Sequence, residues 1–157
     1  MDKQYIDRII SKIEKENSIF TKKSYLDSLS FPSKIVGRKK QAEELIRLLL
    51  GYKQGFVVPF VSVYGRSGSG KSVTVRFVCK NIPGIPHVFV NLRQAKTVFG
   101  AANLILAELG QQNLKSAQGI NLAVENIGNT IESILKKEDK KLFVLVLDEF
   151  DILFYDK

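Results

Sequence analysis

The octet at residues 65–72, Gly-Arg-Ser-Gly-Ser-Gly-Lys-Ser, constrains the fold of this chain more than any other stretch. It fits the pattern G-x-x-x-x-G-K-[ST], in which the glycines let successive backbone N–H groups point toward a polyphosphate. The apolar run at 56–64 predicts a strand before the loop, and the residues from Lys71 to about Lys80 predict a helix after it. A strand, a glycine-rich loop and the positive N-terminal end of a helix together predict a nucleotide phosphate site.

Each residue type in the octet has a predicted role at such a site. The side chain of Lys71 reaches the β- and γ-phosphates and takes part in catalysis, and the hydroxyl of Ser72 binds Mg²⁺. The predicted cofactors are therefore ATP or ADP together with Mg²⁺. The predicted nucleotide-binding residues are Gly65, Arg66, Ser67, Gly68, Ser69, Gly70, Lys71 and Ser72.

A second motif lies downstream, where six consecutive apolar residues at 142–147 lead into Asp148 and Glu149. An apolar run without alternation is typical of a parallel strand that is buried on both faces. Ligands bind at the carboxyl ends of such strands, so Asp148 is predicted to hold Mg²⁺ and Glu149 to orient or deprotonate a water molecule. The alternative is that the two carboxylates only begin a solvated loop.

The remaining pattern alternates between strand and helix. Helices are predicted at 39–52, 99–109 and 122–136, and a second strand is predicted at 87–91. This order predicts an α/β fold with a parallel sheet. An amphipathic helix within residues 1–23 forms a predicted N-terminal arm, and the serine-rich stretch at 24–33 reads as a linker.

Charge and composition narrow the class of protein. The 157 residues carry a formal net charge of +8, and the first forty hold ten Lys or Arg against five acids. A basic arm of this kind is compatible with contacts to double-stranded DNA, although its lysines could equally do no more than solvate a helix face. The sequence has no apolar stretch of membrane-spanning length and no signal-peptide pattern, so we expect a cytoplasmic protein with no membrane partner.

Four segments carry a resemblance to known families. Residues 35–45, Ile-Val-Gly-Arg-Lys-Lys-Gln-Ala-Glu-Glu-Leu, resemble the box that opens AAA+ ATPases, which implies that Val36 and Arg38 lie near the adenine. Residues 88–91, 108–110 and 147–153 look like those of the archaeal replication-initiator family, relatives of the eukaryotic origin recognition complex. The similarity covers roughly residues 24 to 157.

The resemblance implies a three-layer P-loop AAA+ domain at 24–157 that is incomplete at its C-terminus. It implies an ATP-dependent switch on chromosomal origin DNA, with ATP held between associating subunits. It also implies that a later strand separates the phosphate-loop strand from the acidic strand, and that a sensor residue, arginine groups, a lid and a winged helix follow Lys157. The chain alone is then expected to hydrolyse little ATP. The alternatives are a regulatory or transport P-loop ATPase of another lineage and a nucleotide-responsive module that does not hydrolyse ATP.

Overall fold

The computed structural model describes residues 36–58 and 60–154. The predicted amphipathic arm at 1–23 and the predicted linker at 24–33 lie outside these residues and stay predictions. No helix among the described residues is long and apolar enough to cross a lipid bilayer.

Four α-helices and two strands, together with four 3-10 helices of three to five residues, make up the regular structure of this part of the chain. The order of the α-helices and strands is α1 (Lys39–Leu50), α2 (Lys71–Asn81), β1 (His87–Asn91), α3 (Val98–Glu108), α4 (Gly119–Lys137) and β2 (Val144–Asp148). All four predicted helices in this region are confirmed, with ends that differ by a few residues. The strand predicted at 87–91 is also confirmed, whereas the acidic strand begins only at Val144, two residues later than its apolar run.

The two strands pair in parallel, as the alternation of elements predicts. The register runs from His87 opposite Val144 to Asn91 opposite Asp148. Both strands therefore end at the same edge of the sheet, where parallel α/β folds bind their ligands. This arrangement confirms the α/β class in its general form.

The strand predicted at 56–64 is wrong. Residues 56–58 and 60–64 are irregular, and β2 pairs only with β1 within the described part of the chain. Phe60 is 84% exposed and Tyr64 is 91% exposed. A strand exists only where a neighbour takes up its N–H and C=O groups, and this segment has none there. It does not pair directly with the acidic strand, in keeping with the implied sheet order.

The core lies on both faces of the sheet, because successive side chains of a strand point in opposite directions. Val144 and Val146 of β2 pack against a cluster that includes Leu49 of α1 and Val78 of α2. On the other face, Leu145 and Leu147 pack against buried Val90, Leu92, Ala95 and Ala101. All five residues of β2 are half-buried rather than fully buried as predicted, because among the described residues only one edge of the strand has a partner.

A third cluster joins α3 to α4 through Ala102, Leu106 and Ala123. The side chain of Asn103 anchors the connection between these helices to α3. Its amide donates to the carbonyl oxygen of Leu114 at 3.0 Å and its oxygen accepts from the Leu114 N–H at 2.9 Å. The polar stretch at 110–119 is therefore fixed against the helix that precedes it.

Cys79 gives a test of this packing. Burial among Leu49, Val78 and Ile82 raises the pKa of its thiol from 9.0 to about 11. We expect alkylation by iodoacetamide at mildly alkaline pH to be slow in the folded chain and fast in urea, because the thiolate is the reacting form. The folded state holds the proton more tightly, so stability should fall as the pH rises from 9 to about 11. Rapid labelling of the folded chain, followed by mass spectrometry, would contradict this packing.

Candidate nucleotide-binding site

The predicted phosphate loop connects the exposed segment at 60–64 to α2. Gly68 and Gly70 have φ angles of +72° and +85°, a left-handed conformation that side chains with a Cβ rarely adopt. The loop is closed by a hydrogen bond from the Ser69 N–H to the carbonyl oxygen of Arg66, at 3.2 Å. Gly70 is the N-cap of α2, so the free N–H groups of the first helical turn face the loop.

The side chain of Lys71 lies back across this loop. Its ammonium group donates to the carbonyl oxygen of Gly65 at 2.9 Å and to that of Arg66 at 3.1 Å. These two bonds hold a positive charge at the mouth of the loop, beside the N–H groups that begin α2. The arrangement offers a negatively charged ligand both a cation and backbone donors in one place.

Ser72 and Asp148 meet, although they are 76 residues apart in sequence. The Ser72 hydroxyl donates to Oδ1 of Asp148 at 2.9 Å, and the contact is partly buried. Oxygen ligands of this kind suit Mg²⁺, and neighbouring ligands about 2.0–2.1 Å from an octahedral Mg²⁺ lie roughly 2.8–3.0 Å apart. The pair therefore fits the predicted ion, with the rest of its coordination shell left to phosphate and water.

Glu149 follows in an unusual backbone conformation. Its φ angle is +57°, which is rare for a residue with a side chain and costs about 1–3 kcal/mol. Its N–H donates to Oδ1 of Asp148 at 3.2 Å, so this carboxylate oxygen accepts hydrogen bonds from both Ser72 and Glu149. Backbone strain of this kind is concentrated at functional sites, where the surrounding structure maintains it.

The two residues predicted to lie near the adenine have different surroundings. Arg38 is half-buried, and its Nε would lie 3.9 Å from a Cβ placed on Gly70, which brings the guanidinium beside the phosphate loop. Val36 is 84% exposed, and its predicted role stays a prediction.

Asn91 belongs to the 88–91 segment of the family resemblance but was given no role at the site; it lies opposite Asp148 at the end of β1. Its side chain accepts from the Arg93 N–H at 2.9 Å. The available signal was its place as the last residue of a strand parallel to the acidic one. In the part of the chain that the structure describes, no three His, Cys, Asp or Glu side chains group as a metal cluster.

Comparison with known proteins places this site in context. No protein-family model matches the chain. The chain is 24% identical to an ORC1-type DNA replication protein of Thermococcus onnurineus, in an alignment that covers 98% of the chain and 39% of that protein. It is 29% identical to an ORC1-type DNA replication protein 1 of Sulfurisphaera tokodaii, with 94% of the chain and 37% of that protein covered.

A third relative, an ORC1-type DNA replication protein 1 of Methanothermobacter thermautotrophicus, is 26% identical over 92% of the chain and 40% of its own length. The predicted resemblance to archaeal replication initiators is confirmed. The chain spans about two fifths of the length of these curated relatives.

Proposed function

We propose that the chain is the ATP-binding part of a DNA replication initiator, in which nucleotide binding acts as a switch on origin DNA. The observation that carries the proposal is the contact between Ser72 and Asp148. It joins the phosphate loop to the carboxyl end of a parallel strand, which is the arrangement that an ATP·Mg²⁺ site of the P-loop class requires.

In this proposal each residue contacts a different part of the nucleotide or its metal ion. The N–H groups of the loop and the first turn of α2 would surround the β-phosphate, and Lys71 would turn from its carbonyl partners toward the β- and γ-phosphates. Ser72 and Asp148 would hold Mg²⁺, which would neutralise phosphate charge, and Arg38 would lie on the adenine side. Glu149 would orient the attacking water.

The initiator role is supported by the relatives, all three of which are named as ORC1-type DNA replication proteins. It is also supported by the formal charge of +8, since Lys and Arg neutralise phosphates of double-stranded DNA. We propose that residues 1–23 add phosphate contacts, that the protein acts on the chromosome in the cytoplasm, and that it associates with further AAA+ subunits.

A nucleotide-responsive module without hydrolysis remains the second candidate, and one observation favours it. Among the described residues none hydrogen bonds to the carboxylate of Glu149, which is exposed. A general base without neighbours that fix its position contributes little to a rate. On this alternative, ATP binding changes the affinity for DNA and no turnover is needed.

Duplex binding measured with and without ATP·Mg²⁺ tests the proposed switch. We expect ATP·Mg²⁺ to raise the affinity of the chain for origin duplex about fivefold, which corresponds to a coupling of roughly 1 kcal/mol. Fluorescence anisotropy of a labelled duplex at fixed salt is the measurement. Ser72→Ala should remove the ATP effect, while Ser116→Ala, at an exposed serine outside the predicted site, should keep it. The same affinity with and without ATP in the unaltered chain would contradict the switch.

A further inference from the structure

A polar groove of about 510 Å³ runs along α4, between this helix and the turn that follows the end of α3. It lies at the edge of the sheet opposite the phosphate loop. α3 begins just after the carboxyl end of β1 and runs back toward the amino ends of the strands, and α4 leads into the amino end of β2. The groove is therefore separate from the nucleotide site.

The walls of the groove carry groups that both donate and accept hydrogen bonds. Three carboxamides line it, and within residues 36–58 and 60–154 none of these three side chains hydrogen bonds to protein. Two hydroxyls also line it, and they donate to backbone carbonyls of α4 at 2.7 and 2.8 Å, which leaves their lone pairs as acceptors. The carboxamides belong to Gln111, Asn126 and Asn129, and the hydroxyls to Thr130 and Ser133.

The groups on α4 form a row with helical spacing. Asn126, Thr130, Ser133 and Lys137 follow one another at steps of four, three and four residues, so they share one face of the helix. Asn129 lies beside Thr130, three residues after Asn126 and four before Ser133. The row is about 16 Å long, from eleven steps of about 1.5 Å. That length matches roughly five residues of an extended chain.

The charge that lines the groove is positive. Lys137 lines its end, and no carboxylate is among the lining residues. The neighbouring Lys136 lies 3.6 Å from Glu132 in an ion pair, which leaves Lys137 as the cation that faces the groove. Leu109 and Ile134 add an apolar contact surface between the polar groups.

These features favour a peptide over a nucleic acid backbone as the ligand of the groove. A phosphodiester offers acceptors alone and would face the carboxamide oxygens and hydroxyl lone pairs with a single cation to offset them. An extended peptide presents alternating N–H and C=O groups, which carboxamides can satisfy in pairs. We propose that this groove binds an extended segment of a partner protein, with an apolar side chain over Leu109 and Ile134 and a carboxylate at Lys137.

The test selects random twelve-residue peptides, displayed on phage, on the immobilised 157-residue chain. The enriched peptides are then synthesised with a fluorescent label and titrated by anisotropy. We expect an apolar residue followed by an acidic one in these peptides. Asn129→Ala should weaken their binding about tenfold and Lys137→Gln about fivefold, from the usual strength of single and charge-assisted hydrogen bonds. Asn121→Ala, an exposed asparagine of α4 outside the groove, should stay within about twofold.

Circular dichroism and ATP affinity should be unchanged in all three variants, since the groove lies away from the phosphate loop. The proposal is overturned if no peptide is enriched, or if the enriched peptides bind the groove variants and the control equally well. It is also overturned if a single-stranded oligonucleotide of the same length binds instead and loses affinity on Asn129→Ala, because the groove would then serve nucleic acid.

Discussion

Replacing Lys71 by alanine is expected to weaken ATP binding about a hundredfold in the absence of Mg²⁺. The side chain supplies a fixed positive charge within reach of two phosphates, and charge-assisted hydrogen bonds of this kind add up to roughly 3 kcal/mol. Binding should not vanish, because the backbone N–H groups of the loop and of α2 remain. Titration of a fluorescent ATP analogue into the variant measures the loss.

A control variant at a lysine away from the loop shows whether the loss of ATP affinity is specific to Lys71. Lys141 is exposed at the amino edge of the sheet, and Lys141→Ala should leave the affinity for ATP within about twofold of the unaltered chain. Lys71→Ala also removes two hydrogen bonds to loop carbonyls, so its melting temperature should be recorded beside its affinity. Unaltered ATP affinity in a folded Lys71 variant would rule out the phosphate-loop interpretation.

Leu106→Ala is expected to destabilise the chain by about 2–5 kcal/mol, the usual cost of a cavity at a fully buried leucine. Leu106 is 0% exposed and is the largest fully buried side chain of the cluster that joins α3 to α4, so its truncation leaves a cavity inside that cluster. Urea denaturation followed by circular dichroism measures the change. Leu48 of α1 is 43% exposed, and Leu48→Ala should cost less than about 1 kcal/mol. Equal losses in the two variants would contradict the packing between α3 and α4.

The helices and the second strand could be predicted from sequence because each carries its own local signal. Helix α2 is the clearest example, since Val73, Thr74 and Val75 favour a strand by propensity, yet the loop motif requires a helix there. The structure begins that helix at Lys71. In α2 the motif therefore outweighs the propensity of three residues, and in the other elements the spacing of apolar residues is itself the local signal.

The segment at 56–64 shows where such prediction ends. Its composition is that of a strand, but a strand is a property of two segments, and β2 pairs with β1 alone among the described residues. Phe60 and Tyr64 are left exposed, and Val144 to Asp148 are only half-buried for the same reason. The apolar pattern could not predict that the segment lacks a pairing partner. Such a pattern indicates that a segment can be buried, but it does not indicate which strand lies next to it.

At the candidate site, too, the features with a local sequence pattern could be predicted, and the features that depend on contacts in space could not. The sequence paired Ser72 with Asp148 through one predicted ion, and the structure brings their oxygens to 2.9 Å. The sequence alone could not predict the left-handed backbone of Glu149, the position of the Arg38 guanidinium beside Gly70 or the groove beside α4. Each depends on how loops and helices meet in space, and no spacing of residues encodes it.

The most direct test of the nucleotide site is calorimetric titration of ATP with and without Mg²⁺ in three forms of the chain. In the unaltered chain and in Asp151→Asn, Mg²⁺ should strengthen ATP binding about tenfold, in line with the effect of groups that hold a metal. In Asp148→Asn, which keeps the shape and an acceptor for Ser72 but loses the charge, the affinities with and without Mg²⁺ should be equal. An unaltered chain that binds no ATP, or an Asp148→Asn variant that keeps the full gain from Mg²⁺, would contradict the site.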